Sequence, residues 1–255
     1  MTKVIAFAGK GGTGKTTVAA LLTRSLVRRG AAPVLAIDAD AATNLHLALG
    51  LPEPATVGDL REGMKAEAGQ GTLGVAISRQ DYVDREIRMV LEEGDQVDLI
   101  AMGRPEGQGC YCAVNHLLRQ TLDEVGKSYA YIIVDNEAGM EHISRRTTRD
   151  VDLLLIVTDP TVRGVRTAQS IAAMADEVDV RVRRKMLVVN RIAGDLPNEL
   201  EAAIAATGLE LAARIPADGR VADLDARGEP LLHLNGTSPA AAAVEAIAER
   251  ILREV

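Results

Sequence analysis

Ten residues near the start of the chain, Ala8-Gly9-Lys10-Gly11-Gly12-Thr13-Gly14-Lys15-Thr16-Thr17, combine glycines, lysines and hydroxyls in a spacing that could hold phosphate. Gly9, Gly14, Lys15 and Thr16 satisfy the pattern G-x-x-x-x-G-K-[ST]. Its glycines let successive backbone N–H groups converge on a polyphosphate, and a helix starting at the lysine adds its positive dipole end. Lys15 would reach the β- and γ-phosphates, the Thr16 hydroxyl would ligate Mg²⁺, and Thr17 is placed for a further phosphate contact. The nucleotide-binding set read from this loop is therefore Gly11, Gly12, Thr13, Gly14, Lys15, Thr16 and Thr17.

Three further groups carry chemistry. Pro33-Val34-Leu35-Ala36-Ile37-Asp38 is an apolar run ending in a carboxylate, and Asp40 follows two residues later. Tyr131-Ile132-Ile133-Val134-Asp135 repeats the arrangement in the Walker B manner, where the aspartate acts through Mg²⁺ or its waters. Cys110-Tyr111-Cys112 contains the chain's only two cysteines, behind a glycine-rich loop. At i and i+2 they are too close for an unstrained mutual disulfide. One pair supplies two of the four thiolates such a site wants, and a twofold dimer would supply all four. Such a site suits Zn²⁺ in tetrahedral geometry or Ni²⁺ in a planar one.

The elements that must position these residues alternate strand with helix. The phosphate loop joins a strand at Val4-Ile5-Ala6-Phe7-Ala8 to a helix over about residues 15–29. Other buried strands are read at residues 73–77, 97–101, 153–158 and 185–191. A charged helical stretch covers about 82–93, another helix about 113–125, and Pro160 opens one after the 153–158 strand. The last helix, about 239–253, puts Ala240, Val244, Ile247 and Ile251 on one face. The expected fold is a single α/β domain over residues 1–255, a mostly parallel sheet covered by helices on both faces.

Composition narrows the function classes. A chain of 255 residues with no Trp and one Phe must build its core from Val, Leu, Ile and Ala. A net charge of −7 argues against a general nucleic-acid-coating surface. No apolar run approaches the ~18–20 residues that cross a bilayer. The N-terminus is already strand and loop rather than a secretory leader, so a cytoplasmic protein is expected.

The form Lys10-Gly11-Gly12-Thr13-Gly14-Lys15-Thr16-Thr17 resembles the deviant P-loop of the MinD/ParA/nitrogenase-iron-protein class of ATPases. The resemblance covers essentially the whole chain and implies the P-loop NTPase fold, with ATP and Mg²⁺ as cofactors. It implies that Lys10 crosses a homodimer interface to the partner's nucleotide, as an arginine finger does elsewhere. Asp38 would then support the Mg²⁺ shell with Thr16 and Asp135, and Asp40 would orient or deprotonate the attacking water. Lys10, Lys15 and Asp40 are the catalytic set on this reading. Asp135-Asn136-Glu137-Ala138-Gly139 resembles the D-x-x-A-G of switch II, in which Ala138 and Gly139 follow the γ-phosphate. Asn190, at the end of its strand, would hold the adenine edge, with Pro216 and Asp218 flanking the purine.

Within that class, Gly109-Cys110-Tyr111-Cys112 and the run from Asp135 to His142 are similar to the CooC-type nickel-insertion ATPases of carbon monoxide dehydrogenase and their relatives serving acetyl-CoA synthase. An iron–sulfur carrier of the class typically shows C-x-x-C instead. The resemblance implies an ATP-hydrolysing metallochaperone holding Ni²⁺, or Zn²⁺ in its place, on Cys110 and Cys112 of both protomers. A homodimer forming on ATP or metal, a nickel-enzyme client, and no nucleic acid or membrane partner go with it. A positioning or partitioning ATPase and an iron–sulfur carrier are the alternatives. His116 and His142 lie near these motifs without an assigned role.

Overall fold

A computed structural model describes residues 2–59, 87–103, 124–137, 150–177, 181–234 and 237–254. The first half contains β1 (Lys3–Ala8), α1 (Lys15–Arg28), β2 (Val34–Ala39), α2 (Leu45–Leu49), β3 (Leu91–Glu92), β4 (Val97–Ala101) and β5 (Tyr131–Asn136). The second contains β6 (Asp150–Val151), β7 (Leu153–Thr158), α3 (Val162–Glu177), β8 (Arg181–Val182), β9 (Lys185–Ile192) and α4 (Asn198–Ala206). It ends with β10 (Glu210–Pro216), α5 (Gly219–Arg227), a 3₁₀ turn (Leu231–His233) and α6 (Pro239–Glu254).

Eight strands form one sheet in the order β10-β9-β7-β1-β5-β2-β4-β3. Every pairing is parallel except that of β3 with β4. Alternation within the strands divides the core cleanly, because successive side chains point to opposite faces. Ile5, Phe7, Val34, Ala36, Ile133, Leu155, Val157 and Val188 pack with α1 and α6 on one face. Ala6, Ala8, Leu35, Ile37, Val134, Ile156, Leu187 and Val189 pack with α3 and α4 on the other. Phe7, the one phenylalanine, is fully buried. The expected α/β sheet with helices on both faces is what the chain forms.

Strand order places the site. After β1 the chain crosses to β2, two positions away, while β7, β9 and β10 build on the other side of β1. In open parallel sheets the ligand crevice lies beyond the carboxyl ends of the strands where the order reverses, here beside β1.

One sequence expectation is corrected and one strand is added. Helix does not continue to residue 93: Leu91 and Glu92 pair antiparallel with Ile100 and Leu99. Gly94 turns the chain there, its N–H bonded to Asp98 Oδ1 at 3.0 Å, and pairing with the sheet edge overrides helical propensity. The stretch before Pro216 is a strand, β10, which carries two register irregularities and is half exposed, so it has no period to read. The strand read at 73–77 lies outside the described residues.

Candidate functional site

The loop after β1 is held from outside through its carbonyls. Lys10 O accepts from Thr13 Oγ1 at 2.9 Å and from Lys15 Nζ at 3.4 Å. Asn190 Nδ2, from the end of β9, donates to Thr13 O at 2.9 Å, and Arg191 Nη1 donates to Gly12 O at 3.0 Å. The first N–H groups of α1 have no intrahelical acceptor by geometry, and neither a side-chain cap nor an acidic residue occupies its first turn. The cradle therefore presents N–H groups and a dipole end, with the nearly buried Lys15 beside them.

Two glycines are required by this packing. Gly9 has φ +150°, and a Cβ there would sit 2.2 Å from Val157 O, a backbone atom that cannot yield. Gly14 has φ +89°, and its Cβ would sit 2.4 Å from Asn190 Nδ2. The loop can thus lie directly against β7 and β9.

Asp38 and Asp135 are register partners on β2 and β5, each 1% exposed. Asp135 Oδ2 accepts from the Thr16 hydroxyl at 2.5 Å, while its buried Oδ1 has no partner. Burial pushes the Asp135 carboxyl up to about 7, with the charges of Asp38 and Asp40 adding and Thr16 and Lys15 opposing. Burial likewise pushes Asp38 up to about 6, against hydrogen bonds from the N–H groups of Leu45 and Asp40. Those bonds, 2.9 Å to Oδ2 and 3.0 Å to Oδ1, give Asp38 the added task of fixing the chain from 38 to 45.

An orphaned buried carboxylate oxygen beside a threonine hydroxyl, next to a second buried carboxylate, fits a divalent cation. Mg²⁺ takes one or two carboxylates together with phosphate oxygens and water, so a three-ligand protein cluster is unnecessary. None of His, Cys, Asp and Glu forms one among the described residues. Thr16 and Asp135 would hold the ion directly, with Asp38 behind them.

Two adjoining cavities extend from this point. One, of about 580 Å³, is lined by Gly11, Gly12, Gly14, Lys15, Thr16 and Asp40, and also by Glu137, Asp225 and Glu229. The other, of about 530 Å³, is lined by Asn190, Ile215, Pro216, Asp218, Val221 and Ala222. Thr17, Arg191 and Asp225 line both. A polyphosphate fits the first and a flat heterocycle the second.

The sequence-derived residues fall as follows. Asp40 lines the phosphate cavity and its Oδ1 accepts from Ala42 N at 2.9 Å, a local turn that positions it. Lys10 is exposed on the loop. Asn190 has used one Nδ2 hydrogen on Thr13 and one Oδ1 lone pair on Arg191 N, at 2.9 Å each. One donor and one acceptor position remain on it, the pair that matches an adenine N6/N7 edge. Pro216 lines the second cavity.

Asp218 lines the second cavity and also ties its wall together. Its carboxylate caps α5 through Arg220 N at 3.0 Å and reaches the start of α6 through Ser238 Oγ at 2.5 Å and Ala240 N at 3.3 Å. Burial would raise its pKa, but these hydrogen bonds outweigh that and hold it below the ordinary carboxylate range. Cys110, Cys112, Ala138, Gly139, His116 and His142 lie outside the described residues.

Sequence reading missed Arg191, Asp225 and Glu229. Arg191 follows the flagged Asn190, and its only further signal is a backbone φ of +59°, which no sequence displays. Asp225 and Glu229 sit on and after α5, a helix with no buried residue, where a carboxylate is ordinary and nothing local marks it as lining a cavity.

Comparison with known proteins agrees with this geometry. Residues 4–231 match the family model described as the CobQ/CobB/MinD/ParA nucleotide binding domain. An uncharacterized ATP-binding protein of Methanocaldococcus jannaschii is 37% identical over 251 residues, 98% of this chain and 99% of its own. The carbon monoxide dehydrogenase accessory protein CooC of Rhodospirillum rubrum is 34% identical over 187 residues, 69% of this chain and 70% of its own. Among solved structures, a chain of the MinC:MinD cell division protein complex of Aquifex aeolicus superposes with a TM-score of 0.71 at 26% identity, covering 99% and 97% of the two chains. Among the described residues no helix is long and apolar enough to cross a membrane.

Proposed function

We propose, from the premise that this chain belongs to the CobQ/CobB/MinD/ParA nucleotide-binding family of ATPases, that its ATP hydrolysis drives a nickel-class metallochaperone. The observation that carries the reading is the Cys110-Tyr111-Cys112 pair in a chain 34% identical to a carbon monoxide dehydrogenase accessory protein. A thiolate pair of this spacing completes a four-ligand site only when a second copy contributes its own pair. The cargo ion is then held across the dyad of a homodimer and passed to a nickel enzyme, carbon monoxide dehydrogenase or acetyl-CoA synthase. A reducing cytoplasm, which keeps thiols free, is the matching compartment.

The residues divide the work. The loop N–H groups and Lys15 bind and orient the triphosphate, and Asn190 and Pro216 hold the base. Thr16 and Asp135 would hold Mg²⁺, which would supply positive charge against the phosphate oxygens. Water oriented or deprotonated by Asp40 attacks the γ-phosphorus, the bond from the bridging oxygen to that phosphorus breaks, and ADP and phosphate leave, the water's proton passing to Asp40 or to the released phosphate. Lys10 of each protomer reaches the opposite nucleotide and supplies positive charge to that step. Loss of the γ-phosphate releases the segments around Asp40 and Gly139, altering the dimer and with it the thiolate site.

The test is anaerobic titration with Ni²⁺ while mass and stoichiometry are followed, in ADP and in a non-hydrolysable ATP analogue. One ion per two chains, coupled to dimerisation and lost in Cys110→Ser/Cys112→Ser, is the expected result. Dimerisation by nucleotide alone, without thiolate-dependent uptake, would sink the reading and leave a MinD/ParA-type positioning ATPase. The likeness to the Aquifex MinC:MinD complex favours that second reading. A brown chromophore in anaerobically prepared protein would point instead to an iron–sulfur carrier.

A further inference from the structure

Arg191 stands where the two cavities meet, and no carboxylate among the described residues pairs with its charge. Only Thr17, Arg191 and Asp225 line both cavities among the described residues. When a base fills one cavity and the β- and γ-phosphates fill the other, the ribose and the α-phosphate must occupy this waist. Of the three residues there, only Arg191 is a cation.

Its backbone is committed to the position. Arg191 adopts φ +59°, a left-handed conformation that is unfavourable for a side chain with a Cβ. Its N–H is fastened to Asn190 Oδ1 at 2.9 Å, which holds the turn. The guanidinium lies across the loop, with Nη1 on Gly12 O at 3.0 Å and Nε and Nη2 each 3.7 Å from where a Gly14 Cβ would be. One carbonyl engages one of five donors, and no carboxylate pairs with it among the described residues. An exposed, turned-back guanidinium with spare donors over a phosphate loop is matched to an anion, which it can grip through two parallel hydrogen bonds.

We propose that Arg191 binds the α-phosphate of the nucleotide and thereby joins base recognition at the end of β9 to the phosphate cradle. The inference rests on nucleotide binding alone and stands whether or not the cysteine pair handles a metal. Because the α-phosphate does not react, the contact is equal in ground and transition states: it lowers KM and leaves kcat unchanged.

The experiment compares wild type with Arg191→Gly, which keeps the left-handed backbone without strain, and Arg191→Lys, which keeps a charge without the fork. AMP and ADP are titrated by calorimetry and ligand-observed NMR at two salt concentrations. Arg191→Gly is expected to weaken both nucleotides by a similar factor, about tenfold to a hundredfold. That loss should shrink at high salt and be partly recovered by Arg191→Lys, and the KM for ATP should rise with kcat held. Weakened ADP with unchanged AMP would reduce Arg191 to a brace on the Gly12 carbonyl and overturn the proposal. Equal losses that ignore salt and are not recovered by lysine would place the guanidinium on the base plane, which overturns it as well. Unchanged affinity for both would do the same.

Discussion

At the scale of single residues the most telling group is Asp135, which accepts the Thr16 hydroxyl on one oxygen and leaves the other buried without a partner. A carboxyl raised to about 7 in the folded chain, from ~4 when unfolded, favours the folded state only while it is protonated. Its contribution is complete below about pH 4 and is lost as pH climbs to 7. Asp135→Asn removes the ionisation while keeping an acceptor for Thr16. In urea titrations of nucleotide-free protein without divalent ions, the variant should lose less stability than wild type between pH 5 and 8, by on the order of 2 kcal/mol. Mg²⁺ with ADP should narrow that gap, because the cation supplies the charge that the anionic wild-type carboxylate faces. The same substitution should abolish most hydrolysis. A pH profile identical to that of wild type would mean that Asp135 is not the strained group.

At the scale of elements, two ties hold the site together. The loop lies so close to β9 that a methyl at Gly14 would displace the Asn190 amide from Thr13 O. Gly14→Ala should therefore weaken ADP binding by tenfold or more, and Asn190→Ala should weaken it through the same contact, by about tenfold. Because the two share one contact, their double mutant should fall short of additivity, a result that calorimetric titration would read directly. Asp218 joins α5 to the start of α6 and so anchors the outer wall of the base cavity. Asp218→Ala removes a helix cap and leaves the Ser238 hydroxyl proton without its acceptor, which should cost about 1–3 kcal/mol in thermal or urea denaturation. Asp218→Asn, still an acceptor, should cost less. Neither tie was readable beforehand: the family resemblance marks Asp218 only as a neighbour of the purine, and its partners at Ser238 and Ala240 lie 20 and 22 residues away.

At the scale of the whole molecule, the exposed Lys10 belongs to the proposed homodimer. Lys10→Ala should leave ADP affinity within about threefold, since Lys15 and the loop N–H groups hold the phosphates, and should reduce ATP turnover by about a thousandfold. Mixing Lys10→Ala with a hydrolysis-dead Asp40→Asn chain should restore part of the activity, because each lysine serves the opposite nucleotide; single-turnover assays on such mixtures settle it. By itself the sequence determined the phosphate chemistry, the apolar strands and the two strand-end aspartates. Those signals are local: ten consecutive residues supply most of the phosphate ligands, and buried parallel strands read as continuous apolar runs. The tertiary structure alone decided which carboxylate is left with an unpaired oxygen, that Asp218 serves as a helix tie, and that Arg191 crosses the loop. The reason is sheet order. β7 and β9 add beside β1 only after the chain has built β2, β4 and β5 on the other side, which sets Asn190 against Thr13 across 177 residues and Arg191 against Gly12 across 179. No local pattern carries information about a contact that distant in the chain.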